Sequence, residues 1–135
     1  VAISARTQSD LESAAQEIAA ETGRRILPTP MDVTQRGQVD RVTAEAAQQL
    51  GGLHILVNSG SSPGGSPGAT GPIDTLEDET LLTDFDVKYV GALRCARAAI
   101  PFLKEQGWGR IIYRGLHGSI SRRFQRGQPR VLCVV

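Results

Sequence analysis

The chain has 135 residues, 40% of them hydrophobic, which is length and apolar content enough for one domain with a sizeable core. A formal net charge of +1 gives no electrostatic case for a nucleic-acid or membrane-surface partner. No apolar run approaches the about 20 residues that cross a bilayer, and no basic, then apolar, leader marks a secretory signal. Residues 1–5 (VAISA) are short, apolar and β-prone, and predict a buried strand. Ser9 and Glu12 stand as S-x-x-E, the pattern of a capping box at a helix start. Leu11, Ala15, Ile18 and Thr22 follow at helical spacing, and Gly23 closes that helix. Residues 25–31 predict a second strand, weakened by Pro28 and Pro30.

Thr34 is the expected cap of the next helix, whose apolar face carries Val39, Val42, Ala46 and Leu50 before Gly51 and Gly52 end it. Residues 54–58 (HILVN) predict a third buried strand. Residues 59–72, rich in Gly, Ser and Pro, predict a loop, and a loop after a buried parallel strand reads as functional. A helical pattern returns over 76–106 with Phe85, Leu93, Ala96, Ile100 and Leu103 as its expected apolar stripe. Pro101 is expected to bend or end it. Residues 110–113 (RIIY) start a fourth strand. The resulting order, β-α-β-α-β-α-β, predicts an α/β fold: a parallel sheet with helices on both faces and right-handed crossovers.

After Tyr113 the character changes. Residues 114–130 hold Arg114, Arg122, Arg123, Arg126 and Arg130, no acid and no regular period, and residues 131–135 suit a short strand. The expected division is a partial domain over 1–113 and an Arg-rich tail over 114–135. Three readings of the tail stand side by side. It is a nucleic-acid-binding segment, disfavoured by its single aromatic, Phe124; a disordered basic tail of a genuine variant; or the product of a reading frame shifted after about Ile112. Cys95 and Cys133 lack metal-ligand spacing and read as reduced thiols of a cytoplasmic protein, and no metal site is expected.

Four segments, in order and at matching spacing over about residues 1–112, resemble the short-chain dehydrogenase/reductase family. V-A-I-S-A-R (1–6) is similar to the family's second strand and the turn after it. Asp32-Val33 matches the end of the next strand, and H-I-L-V-N-S-G (54–60) resembles I-L-V-N-N-A-G. The fourth is D-V-K-Y-V-G-A-L-R-C-A-R-A-A-I-P-F-L (86–103) followed by W-G-R-I-I (108–112). The resemblance implies a Rossmann-like, doubly wound parallel sheet of order 3-2-1-4-5, with a dinucleotide across the carboxyl ends of the strands. It implies hydride transfer between NAD(P) and a carbonyl or alcohol carbon of a small molecule. Arg6 stands where the family's turn meets the adenosine ribose, and a guanidinium there suits a 2′-phosphate, so NADP is expected ahead of NAD. The alternative is a solvated surface arginine. Asp32 would accept from the adenine amino group, and Val33 would offer its N–H and an apolar contact; the alternative for Asp32 is an acid that merely ends a strand. Asn58 would steady the sheet centre, and Gly60 would let the backbone approach the cofactor. Lys88 stands near an asparagine that holds a relay water in many members, the alternative being a helix surface charge.

The family's reacting residues are not in this chain. Its tyrosines, Tyr89 and Tyr113, are followed four residues on by Leu93 and His117, so there is no Y-x-x-x-K, and the lysines are Lys88 and Lys104 alone. Ser119 is at most a relic of the family serine, and His117 reads as a loop histidine. No catalytic residue is therefore assigned. The glycine-rich T-G-x-x-x-G-x-G loop belongs on a strand before Val1. The chain is accordingly expected to be a central fragment, its sheet lacking the first strand and the C-terminal part. Residues 1–5 would pair with 25–31 and residues 54–58 with 110–113, with nothing across the gap, leaving a marginal or aggregation-prone chain. In the family the helix over about 80–105 packs in a dimer interface, so the parent is expected to be a homo-oligomer. A non-catalytic nucleotide-binding or subunit-interaction remnant, or a pseudogene product, are the alternatives to an enzyme fragment.

Overall fold

The computed structural model describes residues 1–60, 66–114 and 130–134. Strands and helices alternate among them: β1 (Ala2–Ser4), α1 (Gln8–Thr22), β2 (Leu27–Pro28), α2 (Arg36–Leu50), β3 (Ile55–Asn58), α3 (Asp78–Phe85), α4 (Gly91–Glu105), β4 (Arg110–Tyr113) and β5 (Val131–Val134). A π-helical turn, Asp86–Val90, joins α3 to α4. The expected positions at His117, Ser119, Arg122, Arg123 and Arg126 lie outside the described residues.

All strand pairs are parallel, in the order β2-β1-β5-β3-β4. The order corrects one expectation. The two strand pairs are not left open toward each other, because β5 fills the space between β1 and β3. Leu132 pairs in register with Ala2 on one side and Leu56 on the other, and Val134 pairs with Ser4 and Asn58. Unpaired backbone groups at a sheet centre cost free energy, and a short apolar strand satisfies both rows at once. The side chains of Leu132 and Val134 are buried in the same step.

Pro28 in β2 and Pro30 just past it are compatible with the sheet because that strand lies at its edge. Leu27, Thr29 and Met31 donate their N–H groups to the carbonyls of Val1, Ile3 and Ala5, each at 2.9 Å. Pro28 and Pro30 fall on the alternate positions, which face away from β1 and need no donor. Helices cover both faces. α1 lays Leu11 and Ala15 on Ile3, and α2 and α4 pack over Ala2, Leu27, Leu56, Leu132 and Val134. Small residues on the two facing helices, Ala46 and Ala47 against Cys95, Ala96 and Ala99, let them approach closely.

Local details depart from expectation in four places. α1 begins at Gln8 with Thr7 at its cap position and no side-chain cap bond, so Ser9 lies inside the helix. Glu12 accepts from Gln8 Nε2 at 2.7 Å rather than closing a capping box. Thr34 does not cap α2; both its N–H and its hydroxyl are engaged by Asp32. α4 runs through Pro101 to Glu105. Its buried face is Gly91, Cys95, Ala96 and Ala99, with Phe102 and Leu103 packed partly against the core; Leu93 and Ile100 fall on the opposite flank of the same α-helix and are exposed, as is Phe85 before the π-helical turn. The glycine stops stand as expected: Gly23 (φ 64°) and Gly51 (φ 70°) take the left-handed conformation that ends α1 and α2.

Candidate functional site

In a parallel sheet every strand ends on the same edge. Ser4, Val134, Asn58 and Tyr113 form one row in register there. Arg6 lies two residues past Ser4, Asp32 and Val33 follow the Met31 amide that bonds to Ala5, and Gly60 lies two residues past Asn58. All five sequence-selected positions therefore stand at one edge of the sheet. The strands β2, β1, β5 and β3 are separated by three spacings of about 4.8 Å, which puts the Asp32 end and the Asn58 end roughly 14 Å apart. That geometry suits an elongated ligand laid across the strand ends, where β1 and β3 lead outward in opposite directions.

The Asp32 turn is built locally. Asp32 Oδ1 accepts from the Thr34 N–H at 2.9 Å and the Thr34 hydroxyl at 2.8 Å. The Thr34 amide holds the carboxyl below its ordinary value, partly opposed by desolvation, with further help from the Thr34 hydroxyl, Arg6 and Arg94. Arg6 itself is exposed and, among the described residues, makes no ion pair. Asn58 is buried, and both Nδ2 and Oδ1 lack a hydrogen-bond partner among the described residues. A buried amide left so costs on the order of 1–3 kcal/mol. The backbone around it is engaged: Asn58 O accepts from Arg114 N at 2.8 Å, and the next amide, Ser59 N, bonds to Val134 O at 2.8 Å.

Two features go beyond the sequence reading. Arg94, on α4, donates to Val33 O at 3.2 Å and to Asp86 Oδ1 at 2.9 Å. Lys88 is not a freely solvated helix charge: its Nζ lies 2.7 Å from Asp84 Oδ2, with the two side chains 22% and 14% exposed. Ser66 donates to the other oxygen of Asp84 at 2.9 Å, tying the loop after β3 to α3. An i, i+4 acid–base pair is a sequence signal that could have disclosed the Asp84–Lys88 contact. No local signal links Arg94 to Val33, 61 residues away. Tyr113, at the end of β4, has its phenol raised above 10.0 by burial and by the nearby Cys95, so it is neutral at pH 7.

Residues 1–115 match the short chain dehydrogenase family. The chain belongs to the short-chain dehydrogenase/reductase family. An uncharacterized oxidoreductase of Staphylococcus aureus (strain MRSA252) is 30% identical over 112 residues, covering 83% of this chain and 45% of that protein. Hydroxysteroid dehydrogenase-like protein 2 of Mus musculus is 33% identical over 102 residues, covering 74% of this chain and 19% of its own length. Among solved structures, the L-sorbose reductase of Gluconobacter frateurii, complexed with NADPH and L-sorbose, superimposes with a TM-score of 0.71 at 29% identity, over 83% of this chain and 41% of that one. A 3-ketoacyl-ACP reductase of Sinorhizobium meliloti 1021 gives a TM-score of 0.72 at 25% identity, over 84% and 42%. This short-chain dehydrogenase/reductase chain thus spans less than half the length of each of these relatives and structures. Its sheet is the family's α/β Rossmann-like sheet, seen in part. Among the described residues no group of acidic, cysteine or histidine side chains is placed to hold a metal, and no helix is long and apolar enough to cross a membrane.

Proposed function

We propose that this chain forms the adenine-nucleotide half of an NAD(P)-dependent oxidoreductase acting on a small carbonyl or alcohol substrate, with NADP preferred. The observation that carries the reading is the gathering of Arg6, Asp32 and Val33 at one corner of the sheet edge, with Asn58 and Gly60 across it. The residues fit the group. Asp32 keeps its carboxylate charged and spends only Oδ1 on Thr34, which suits the other oxygen to accepting from an adenine amino group. Arg6 offers a planar fork of donors to a 2′-phosphate. Asn58 has polar atoms in want of partners beside the ligand's path. When bound, the nicotinamide gives or takes the hydride; the residues here bind and orient the far end of the molecule and supply no acid or base. The parent protein in this reading is a cytoplasmic homo-oligomer, its contact made by the exposed Phe85, Tyr89 and Leu93 side of the α3–α4 rod.

Calorimetric titration of the chain with adenosine 2′,5′-bisphosphate and with AMP tests the cofactor reading. The bisphosphate is expected to bind more tightly, and Arg6→Ala is expected to cost it about 10–100-fold while leaving AMP little changed, since a charge-assisted contact contributes about 1.5–3 kcal/mol. Equal affinity for the two ligands would remove the case for NADP, and no binding of either would remove the nucleotide reading.

A further inference from the structure

We propose that Arg94 is a positioning residue: it holds the Asp32–Val33 turn in the shape that receives an adenine nucleotide, and it does so because a π-helical turn brings Asp86 round to anchor it. The inference rests on the nucleotide reading above and extends it to a residue on a different element. The guanidinium is a rigid fork, and here its two ends are committed to two places. Nη1 donates to the carbonyl of Val33 at 3.2 Å, and Nη2 donates to Asp86 Oδ1 at 2.9 Å. The Arg94 side chain is 21% exposed and that of Asp86 38%, so both contacts are partly shielded from water.

The pairing of Asp86 with Arg94 needs an explanation, because in a plain α-helix residues eight apart are about 2.2 turns apart and point in different directions. Here Asp86–Val90 forms a π-helical turn, and Gly91 N bonds back to Asp86 O. Widening the first part of that span to i→i+5 geometry reduces it to about two whole turns, which lines the two side chains up. The arginine also leans in the needed direction, since helical side chains tilt toward the N-terminus.

A second contact closes on the same target. Gly91 lies one turn before Arg94, and a Cβ built there would stand 2.7 Å from Val33 Cγ2. Val33 is therefore held twice by one helix, its side chain against bare backbone at Gly91 and its carbonyl on Arg94. Thr34 locks the neighbouring Asp32 through two hydrogen bonds. A turn fixed before the ligand arrives loses less entropy on binding, which strengthens binding with no added ligand contact.

The test uses the full chain with Arg94→Met, Arg94→Lys and Asp86→Asn. Two quantities are read: affinity for adenosine 2′,5′-bisphosphate, and hydrogen exchange of the Thr34 and Gln35 amides, both of which bond to Asp32. Arg94→Met is expected to weaken binding about tenfold and to speed exchange at both amides. Arg94→Lys keeps the charge without the fork and is expected to recover only part of the loss. Asp86→Asn, a milder change on the helix surface, is expected to move both readouts the same way by a smaller factor, and it stands in if the methionine variant does not fold. Unchanged exchange at Thr34 and Gln35 in Arg94→Met overturns the inference, as does weakened binding that lysine restores in full. Failure of the unaltered chain to bind the bisphosphate sinks the nucleotide reading alone, and exchange at the turn then still decides whether Arg94 holds it.

Discussion

Asp32 shows how one carboxylate links the chain's stability to pH. Its folded value lies below the ordinary 3.8, chiefly because the Thr34 amide donates to the charged form. Such a group contributes stability fully above the unfolded value, and the contribution is lost as pH falls through the lowered folded value. Asp32→Asn is therefore expected to flatten the fall in melting temperature below about pH 4, measured by circular dichroism. An unaltered acid limb would mean that the turn does not hold the charge. Cys95 gives the opposite sign. Burial pushes its thiol up to about 11, whereas Cys133 is also raised but only half-buried. At pH 8 the thiolate is the reactive form, so a disulfide reagent is expected to label Cys133 first and Cys95 only as the chain opens. Peptide mapping of a labelling time course reads the order, and prompt reaction of Cys95 would contradict its burial.

Among the elements, β5 has the largest consequence. Leu132 is fully buried at the sheet centre between Ala2 and Leu56, so Leu132→Ala is expected to cost about 2–5 kcal/mol in urea unfolding. Val131 faces the other side of the sheet and is only partly buried, and Val131→Ala is expected to cost clearly less. Similar losses at the two positions would place β5 somewhere other than the middle of the sheet. The α3–α4 rod carries the other unexpected feature. Its fully buried positions are small residues, with Phe102 and Leu103 packed partly against the core, while Phe85 (51% exposed) and Tyr89 (67%) stack on each other outside at 4.8 Å between ring centroids. Packing two helices closely over the sheet selects small side chains where their axes come nearest.

For the whole molecule, the filled sheet changes what unfolding should look like. With β5 bonded to both neighbours, the two halves of the sheet are one body, and a single cooperative urea transition is expected in place of the marginal behaviour that an open gap implies. Two resolved transitions would show the halves to be independent. The exposed Leu82, Phe85, Tyr89 and Leu93 on one rod predict concentration-dependent self-association. Light scattering should show the mass rising with concentration in the parent chain and less so in Phe85→Glu, and a concentration-independent monomer mass would rule this out.

By itself the sequence determined the features set by neighbours along the chain. Periodicity and left-handed glycines marked α1, α2 and the four strands read from it, and the ordered segments from VAISAR to WGRII carried the family. Pro28 and Pro30, read as a weakness, are what an edge strand tolerates. What only the tertiary structure decided depends on residues far apart. Four apolar residues at 131–134 suit any open strand slot, and the vacant hydrogen bonds between β1 and β3 select the centre of the sheet for them. The π-helical turn that lets Asp86 meet Arg94 eight residues on is a hydrogen-bond shift that leaves no mark in the pattern of apolar residues. The grip of Arg94 on Val33 spans 61 residues, and such a contact exists only once the sheet has brought α4 against the end of β2.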